Sequence, residues 1–230
     1  IKDLGESSYY LGCPITQDRN AWTLTFEEHQ YIQTMAERFG VTKTSIIPSV
    51  AGEKALSKSD SPQADAEVKE MRQIPYREIV GALMWAATMT MPGILFAAHQ
   101  LAKFNDNPGP THWRAAQKAL QYLWRTRDIG MEGSRGGGPT ISWFSRVQKV
   151  TAAASSESEH VALAEMVSEL RFLRQVKEFM TPPIDVAIKI HKDNKSAIKM
   201  AKTRFSSRRT RHVDIMHHIV RDAIEGEVFT

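Results

Sequence analysis

A glycine-rich stretch at residues 129–139 constrains the fold of this chain more than any other feature of its sequence. Glycine recurs there at positions 130, 133, 136, 137 and 138. So many glycines favour turns over a continuous helix or strand, because glycine loses the most conformational freedom on ordering. With 230 residues and 42% apolar side chains, the chain is long enough for two regions with their own cores. The sequence therefore predicts a domain boundary at this stretch.

The region before the boundary combines a hairpin with helices. Residues 9–16 and 22–26 have the composition of two strands joined by a turn at 18–20. Residues 41–70 contain few large apolar side chains, and we expect them to form a loop. Periodic apolar positions predict helices at 27–39, 75–90, 93–104 and 110–126.

Residues 79–98 carry no formally charged side chain, and a run of that length is enough to cross a bilayer. Pro92 and Gly93 interrupt the run, and Thr88 and Thr90 make it less apolar. The pattern therefore favours two buried helices over a membrane span.

The region after the boundary mixes both kinds of element. We predict strands at 140–146, 150–153 and 184–192 and helices at 156–180, 194–203 and 210–225. The whole chain is therefore expected to belong to the α+β class.

Two acidic stretches, 35 residues apart, are the candidate site. Glu159 lies in the first turn of the predicted helix at 156–180, and Asp193 follows the predicted strand at 184–192. Carboxylate oxygens are the ligands that Mg²⁺ prefers, and two such ions can clamp a phosphodiester. Each residue also has a structural interpretation. Ser156-x-x-Glu159 matches a capping box, and Asp193-Asn194 suits a turn or a helix N-cap.

A basic cluster surrounds Asp193. Between Lys189 and Arg211 there are nine basic residues and one acid. Such a cluster is typical of a protein that binds a phosphate backbone, although a solvated helix face would have the same composition. The predicted nucleic-acid-binding residues are Lys195, Lys199, Lys202, Arg204, Arg208, Arg209 and Arg211.

Several blocks of sequence, in order along the chain, resemble the C-terminal part of copia-type retrotransposon Pol polyproteins. The most specific are Pro75-Tyr76-Arg77, with the residues that follow it to Met84, and Asn107-Pro108-Gly109 followed by His112-Trp113. Further blocks lie at residues 10–12, 120–123, 141–143, 148–150, 154–160 and 211–215. The resemblance covers nearly the whole chain.

The resemblance implies a helical and hairpin-led reverse transcriptase region at 1–130, similar to the polymerase thumb and connection. It implies a truncated RNase H-like α/β domain at 134–230. In that family RNase H cleaves RNA in RNA–DNA hybrids with Mg²⁺ or Mn²⁺, and the matching metal ligands and catalytic residues here are Glu159 and Asp193. The family's first carboxylate would lie near residues 132–135 and its last beyond Thr230, and neither is present.

Three functional hypotheses follow. The first is a Pol polyprotein fragment that has lost catalysis but still binds an RNA–DNA hybrid or duplex. The second is an active, metal-dependent RNase H, and the third is an interaction or structural protein that uses the helices at 75–126. A single cysteine and no signal-peptide pattern predict an intracellular protein, in cytoplasm or nucleus, that is not secreted. No membrane partner is expected.

Overall fold

The computed structural model describes residues 5, 7–41, 55–134, 140–148, 155–180, 188–202 and 211–226, apart from the side chains of 211–215 and 217. Contacts divide the chain into two compact units, residues 1–146 and 147–230. Helices and a β-sheet are both present, which confirms the predicted α+β class. The assignment of 1–130 and 134–230 to a polymerase-like and an RNase H-like domain stays a prediction.

The sheet lies in the first unit and runs in the order β1 (Tyr9–Tyr10), β2 (Cys13–Asp18), β3 (Thr23–Phe26) and β4 (Met131–Ser134), with every pair antiparallel. The predicted hairpin is confirmed for β2 and β3, because Ile15 pairs with Phe26 and Asp18 pairs with Thr23.

The continuous strand predicted at 9–16 is wrong. The chain reverses at Leu11 and Gly12, so that Tyr10 pairs with Cys13. These two residues have φ angles of 50° and 85°, which is the backbone of a two-residue hairpin loop. Gly12 adopts this conformation without steric cost, and the run of apolar residues around it hid the turn.

Residues on both sides of the glycine-rich stretch belong to the first unit. β4 lies within the predicted break and pairs with β3, from Phe26 opposite Met131 to Thr23 opposite Ser134. The strand predicted at 140–146 is wrong, since these residues have no regular structure. Instead, the indole Nε1 of Trp143 donates a hydrogen bond to the Ala87 carbonyl at 2.7 Å, and its ring packs on the core of this unit. These contacts explain why the units divide after Arg146 rather than at the glycines.

The helices of the first unit are α1 (His29–Arg38), α2 (Asp65–Met71), α3 (Tyr76–Met89), α4 (Leu95–Ala102) and α5 (Pro110–Thr126). They confirm the helices predicted at 27–39, 75–90, 93–104 and 110–126. The loop predicted at 41–70 is wrong at α2, and residues 42–54 of it lie outside the described part of the chain.

The apolar faces of α1, α3, α4 and α5 meet in one core. Its most fully buried large side chains are Ile32, Tyr76, Ile79, Val80, Leu83, Ile94, Leu120 and Leu123.

The uncharged run at 79–98 forms two helices, as predicted. α3 ends at Met89, and a 3₁₀ turn at Pro92–Ile94 leads into α4. In the parts of the chain that the structure describes, we find no helix long and apolar enough to span a bilayer.

The two most specific sequence blocks hold this unit together. The Tyr76 hydroxyl donates to the Leu101 carbonyl at 2.9 Å, and Arg77 Nε donates to the Asn105 carbonyl at 2.9 Å. His112 is fully buried: its Nδ1 accepts the Gly109 N–H at 2.9 Å, and its Nε2 lies 3.1 Å from the Ser57 carbonyl. This pairing requires a proton on Nε2 only, and burial lowers the His112 pKa, which favours that neutral form.

The second unit contains α6 (Ser155–Met180), α7 (Lys195–Lys202) and α8 (Arg211–Glu225), which confirm the predicted helices. Residues 150–153 and 184–187, where strands were predicted, lie outside the described residues. Ile188 makes an isolated β-bridge, but residues 189–194 are irregular, so the strand predicted up to 192 is wrong there. The buried core of the three helices consists of Leu163, Ala164, Val167, Ala201, Val220 and Ala223.

Candidate functional site

Glu159 contacts the segment that precedes α7. It lies in the second turn of α6, and its Oε1 accepts a hydrogen bond from Asn194 Nδ2 at 3.0 Å. Its Oε2 lies 2.5 Å from Lys192 Nζ. Both carboxylate oxygens therefore face residues more than thirty positions away in sequence. In a capping box, the Glu159 side chain would accept the backbone N–H of Ser156. Its oxygens contact Asn194 and Lys192 instead.

Asn194 joins the site to α7. Its Oδ1 accepts the backbone N–H groups of Ser196 at 2.9 Å and Ala197 at 3.1 Å. These contacts are those of a helix N-cap, in which a side-chain oxygen satisfies N–H groups of the first turn. The N-cap interpretation of the Asp193-Asn194 pair is therefore confirmed for Asn194. Because its amide also donates to Glu159, one side chain both starts α7 and holds it against α6.

Asp193 does not share the position of Glu159. Its side chain is 96% exposed, and its Oδ1 lies 3.5 Å from the same Lys192 ammonium. The hydrogen bond from Lys192, followed by that from Asn194, lowers the pKa of Glu159. The same interaction with Glu159 raises the pKa of Lys192. Both shifts favour the charged forms, so an ammonium ion pair lies where a metal was predicted.

The described residues around Glu159 do not fit the implied Mg²⁺ or Mn²⁺. No cluster of three or more His, Cys, Asp or Glu side chains that could hold a metal occurs in the described ranges. The donor set is two carboxylates, and the Lys192 ammonium lies 2.5 Å from that of Glu159 and 3.5 Å from that of Asp193. A two-ion site needs more carboxylate oxygens than these, and it excludes a fixed positive charge between them.

The structure places the basic residues of α7 on one face. Lys195, Lys199 and Lys202 are exposed, at i, i+4 and i+7, while Ala197 and Ala201 are buried on the opposite side. We call these three residues the lysine face. Of the other predicted contacts, Arg204, Arg208 and Arg209 lie outside the described residues, and Arg211 begins α8 with its side chain undescribed.

Sequence reasoning missed two residues with unusual environments. Lys192 was counted only as part of the basic cluster, although its position next to Asp193 was a signal of pairing. Glu28, which comes just before α1, is 2% exposed. Its carboxyl accepts the Thr90 hydroxyl at 2.5 Å. Burial raises its pKa to about 7, and no pattern in the sequence distinguishes it from exposed Glu27.

Comparison with known proteins identifies the class. The chain is 29% identical over 265 residues to the retrovirus-related Pol polyprotein from transposon TNT 1-94 of Nicotiana tabacum, with 99% of this chain and 19% of that protein aligned. It is 24% identical over 261 residues to the Pol polyprotein from transposon RE1 of Arabidopsis thaliana, with 98% of this chain and 17% of that protein aligned. No protein-family model matches the chain, and no solved structure matches it.

These relatives are polyproteins encoded by transposons. Over nearly its whole length the chain is similar to these retrotransposon Pol polyproteins, which confirms the resemblance found in its sequence blocks. It spans about a fifth of the length of the relatives above. It is also similar to the secreted RxLR effector protein 161 of Plasmopara viticola, at 30% identity over 133 residues, which are 45% of this chain and 94% of that protein.

Proposed function

We propose that the second unit, residues 147–230 of the domain predicted at 134–230, is RNase H-like and binds the phosphate backbone of an RNA–DNA hybrid or duplex without cleaving it. The observation that supports this most directly is the lysine face of α7. Three ammonium groups on one side of a helix can contact phosphates together, while the buried alanines opposite them anchor the helix in its unit.

The dimensions of α7 suit this role. Lys195 and Lys202 are seven residues apart, which is about 10 Å along a helix. A duplex carries one negative charge per roughly 1.7 Å of its axis, so several phosphates lie within reach of this length. The Asn194 cap and its bond to Glu159 hold the start of α7 in place. Binding therefore does not require the helix to form first.

The absence of cleavage is proposed from the donors at Glu159 and Asp193. Hydrolysis by two metal ions depends on carboxylates that bridge both ions at the scissile phosphate. Here Glu159 is paired with Lys192, and Asp193 projects into solvent. The Lys192 ammonium beside Glu159 repels a divalent metal ion. Without that ion, no water molecule is activated to attack the phosphodiester.

The binding proposal predicts a loss of affinity when the lysine face is neutralised. Replacing Lys195, Lys199 and Lys202 with glutamine should reduce affinity for a labelled RNA–DNA hybrid by at least tenfold at low salt. It should also flatten the slope of log affinity against log salt by roughly 2 to 3, because each phosphate contact releases counterions. Fluorescence anisotropy over a range of salt concentrations measures both quantities.

A matched control removes the same charge from the first unit. Lys69, Lys103 and Lys118 are exposed on α2, at the end of α4 and on α5, and their triple glutamine variant should keep most of the affinity. Equal losses in both triple variants would mean that only net charge matters. An unchanged affinity in the lysine-face variant would favour an interaction protein that uses the helices at 75–126.

The catalytic proposal predicts no product. The 230-residue chain should leave a labelled RNA–DNA hybrid intact with either Mg²⁺ or Mn²⁺, at protein concentrations that bind the hybrid fully. Gel analysis of the RNA strand, beside Glu159→Gln and Asp193→Asn, measures this. Metal-dependent cleavage by the wild type that both substitutions abolish would establish the active RNase H instead.

A further inference from the structure

Lys192 differs from the other lysines of the basic cluster in where its charge lies. Its side chain is only 22% exposed, whereas Lys189, Lys195 and Lys199 are exposed to solvent. Lys192 lies in an irregular segment of six residues, 189–194, between the isolated bridge at Ile188 and the start of α7. The side chain therefore points toward the protein, and its ammonium group has a structural partner rather than a bound phosphate.

The ammonium of Lys192 lies between two carboxylates. Its Nζ is 2.5 Å from Glu159 Oε2 and 3.5 Å from Asp193 Oδ1. The remaining oxygen of Glu159 accepts the Asn194 amide. A divalent cation would bind carboxylate oxygens at about 2.0–2.6 Å. It would therefore need the same space beside Glu159 Oε2, and the ammonium and the cation cannot both be there.

We infer that Lys192 takes the place of a divalent cation between Glu159 and Asp193 and thereby closes a latent cation site. The internal ammonium neutralises Glu159 and joins α6 to the start of α7, which is a task that a metal ion could also perform. If the Lys192 ammonium is removed, the carboxylates of Glu159 and Asp193 lose the positive charge nearest to them. Such a pair attracts a hydrated divalent ion, since one or two carboxylates with several waters suffice for weak binding.

This inference does not depend on nucleic-acid binding, because the pair lies within the protein and is tested without a nucleic acid. The probe is Mn²⁺, whose free ion gives an electron paramagnetic resonance signal that is lost on binding. Lys192→Met in the full chain keeps most of the aliphatic stem and removes the charge. We expect it to bind one Mn²⁺ ion more tightly than the wild type by at least tenfold.

Two controls assign the new binding to this site. The double variant Lys192→Met, Glu159→Gln should return to the weak binding of the wild type. Lys189→Met, which removes an exposed charge three residues away, should not tighten binding. Lys192→Gln keeps a donor for Glu159 without the charge, and it is expected to bind Mn²⁺ at least threefold more tightly than the wild type. Since Lys192→Gln keeps a hydrogen-bond donor for Glu159, it tests the inference even if Lys192→Met does not fold.

Two results would overturn the inference. One is a wild type that binds Mn²⁺ as tightly as Lys192→Met and loses it with Glu159→Gln, because the ammonium would then not block the site. The other is a folded Lys192→Met or Lys192→Gln variant, as judged by circular dichroism, whose Mn²⁺ binding equals that of the wild type. Far-UV circular dichroism is the suitable check of folding because it reports on the helices of both units. Tryptophan fluorescence would report on the first unit alone, since all five tryptophans belong to it: Trp22, Trp85, Trp113, Trp124 and Trp143.

Discussion

Replacing Gly109 with alanine is expected to lower the free energy of unfolding of the first unit by about 3 kcal/mol, with a fall in its Tm of about 10 °C. A Cβ atom at this position would lie 2.0 Å from the backbone oxygen of Asp60. Backbone cannot rotate away as a side chain can, so the turn around residues 57–61 would have to separate from the start of α5. That movement would also strain the contact between His112 and the Ser57 carbonyl.

Urea unfolding followed by tryptophan fluorescence measures this effect in the first unit alone, since every tryptophan lies there. Gly81→Ala is the matched control. Gly81 is exposed in the interior of α3, and a Cβ there meets nothing within 4 Å. Alanine should stabilise that helix by about 0.5–1 kcal/mol. If Gly109→Ala were as stable as the wild type, the close approach of Asp60 to α5 would be disproved.

The first unit is expected to lose stability as pH rises from about 4.5 to above 7, because of Glu28. Burial raises the folded-state pKa of this carboxyl from 4.5 to about 7. The folded state therefore holds a proton that the unfolded state releases, so the contribution is complete at low pH and is lost through this window. The expected loss is about 3 kcal/mol relative to a group that does not titrate.

The surroundings of Glu28 explain the direction of this effect. Thr90 donates one hydrogen bond to the carboxyl, and the nearby Cys13 thiol and Tyr31 hydroxyl carry no positive charge. Burial, together with the proximity of Glu28, raises the pKa of both Cys13 and Tyr31. Among the residues that the structure describes, no cation contacts the Glu28 carboxyl, and its ionisation would leave a buried charge with little compensation.

Urea titrations at pH 5, 6, 7 and 8 test this prediction. Glu28→Gln should make stability nearly independent of pH in this window, whereas Glu27→Gln, at the exposed neighbouring position, should retain the slope of the wild type. A wild type and a Glu28→Gln variant with the same pH dependence would mean that the Glu28 carboxyl is not the titrating group.

The helices could be predicted from sequence because their signals are local. α3, α5 and α6 each repeat apolar side chains at helical spacing over more than three turns, and no tertiary contact is needed to recognise that period. β4 and α2 were missed for the opposite reason. β4 is a four-residue strand with a glycine in it, and it exists because β3 offers it a free edge. α2 has only seven residues, too few to show a period.

The candidate site divides in the same way. The sequence by itself predicted that Glu159 lies near the start of a helix, that the Asp193-Asn194 pair suits a turn or an N-cap, and that basic residues cluster around α7, because these are properties of residues close together in sequence. Only the tertiary structure decided that the Lys192 ammonium pairs with the Glu159 carboxylate. An ion pair between residues 159 and 192 depends on how α6 packs beside the start of α7, and no local pattern encodes that distance. The burial of Glu28 was decided in the same way, by contacts with Cys13 in β2 and with Thr90, which follows α3.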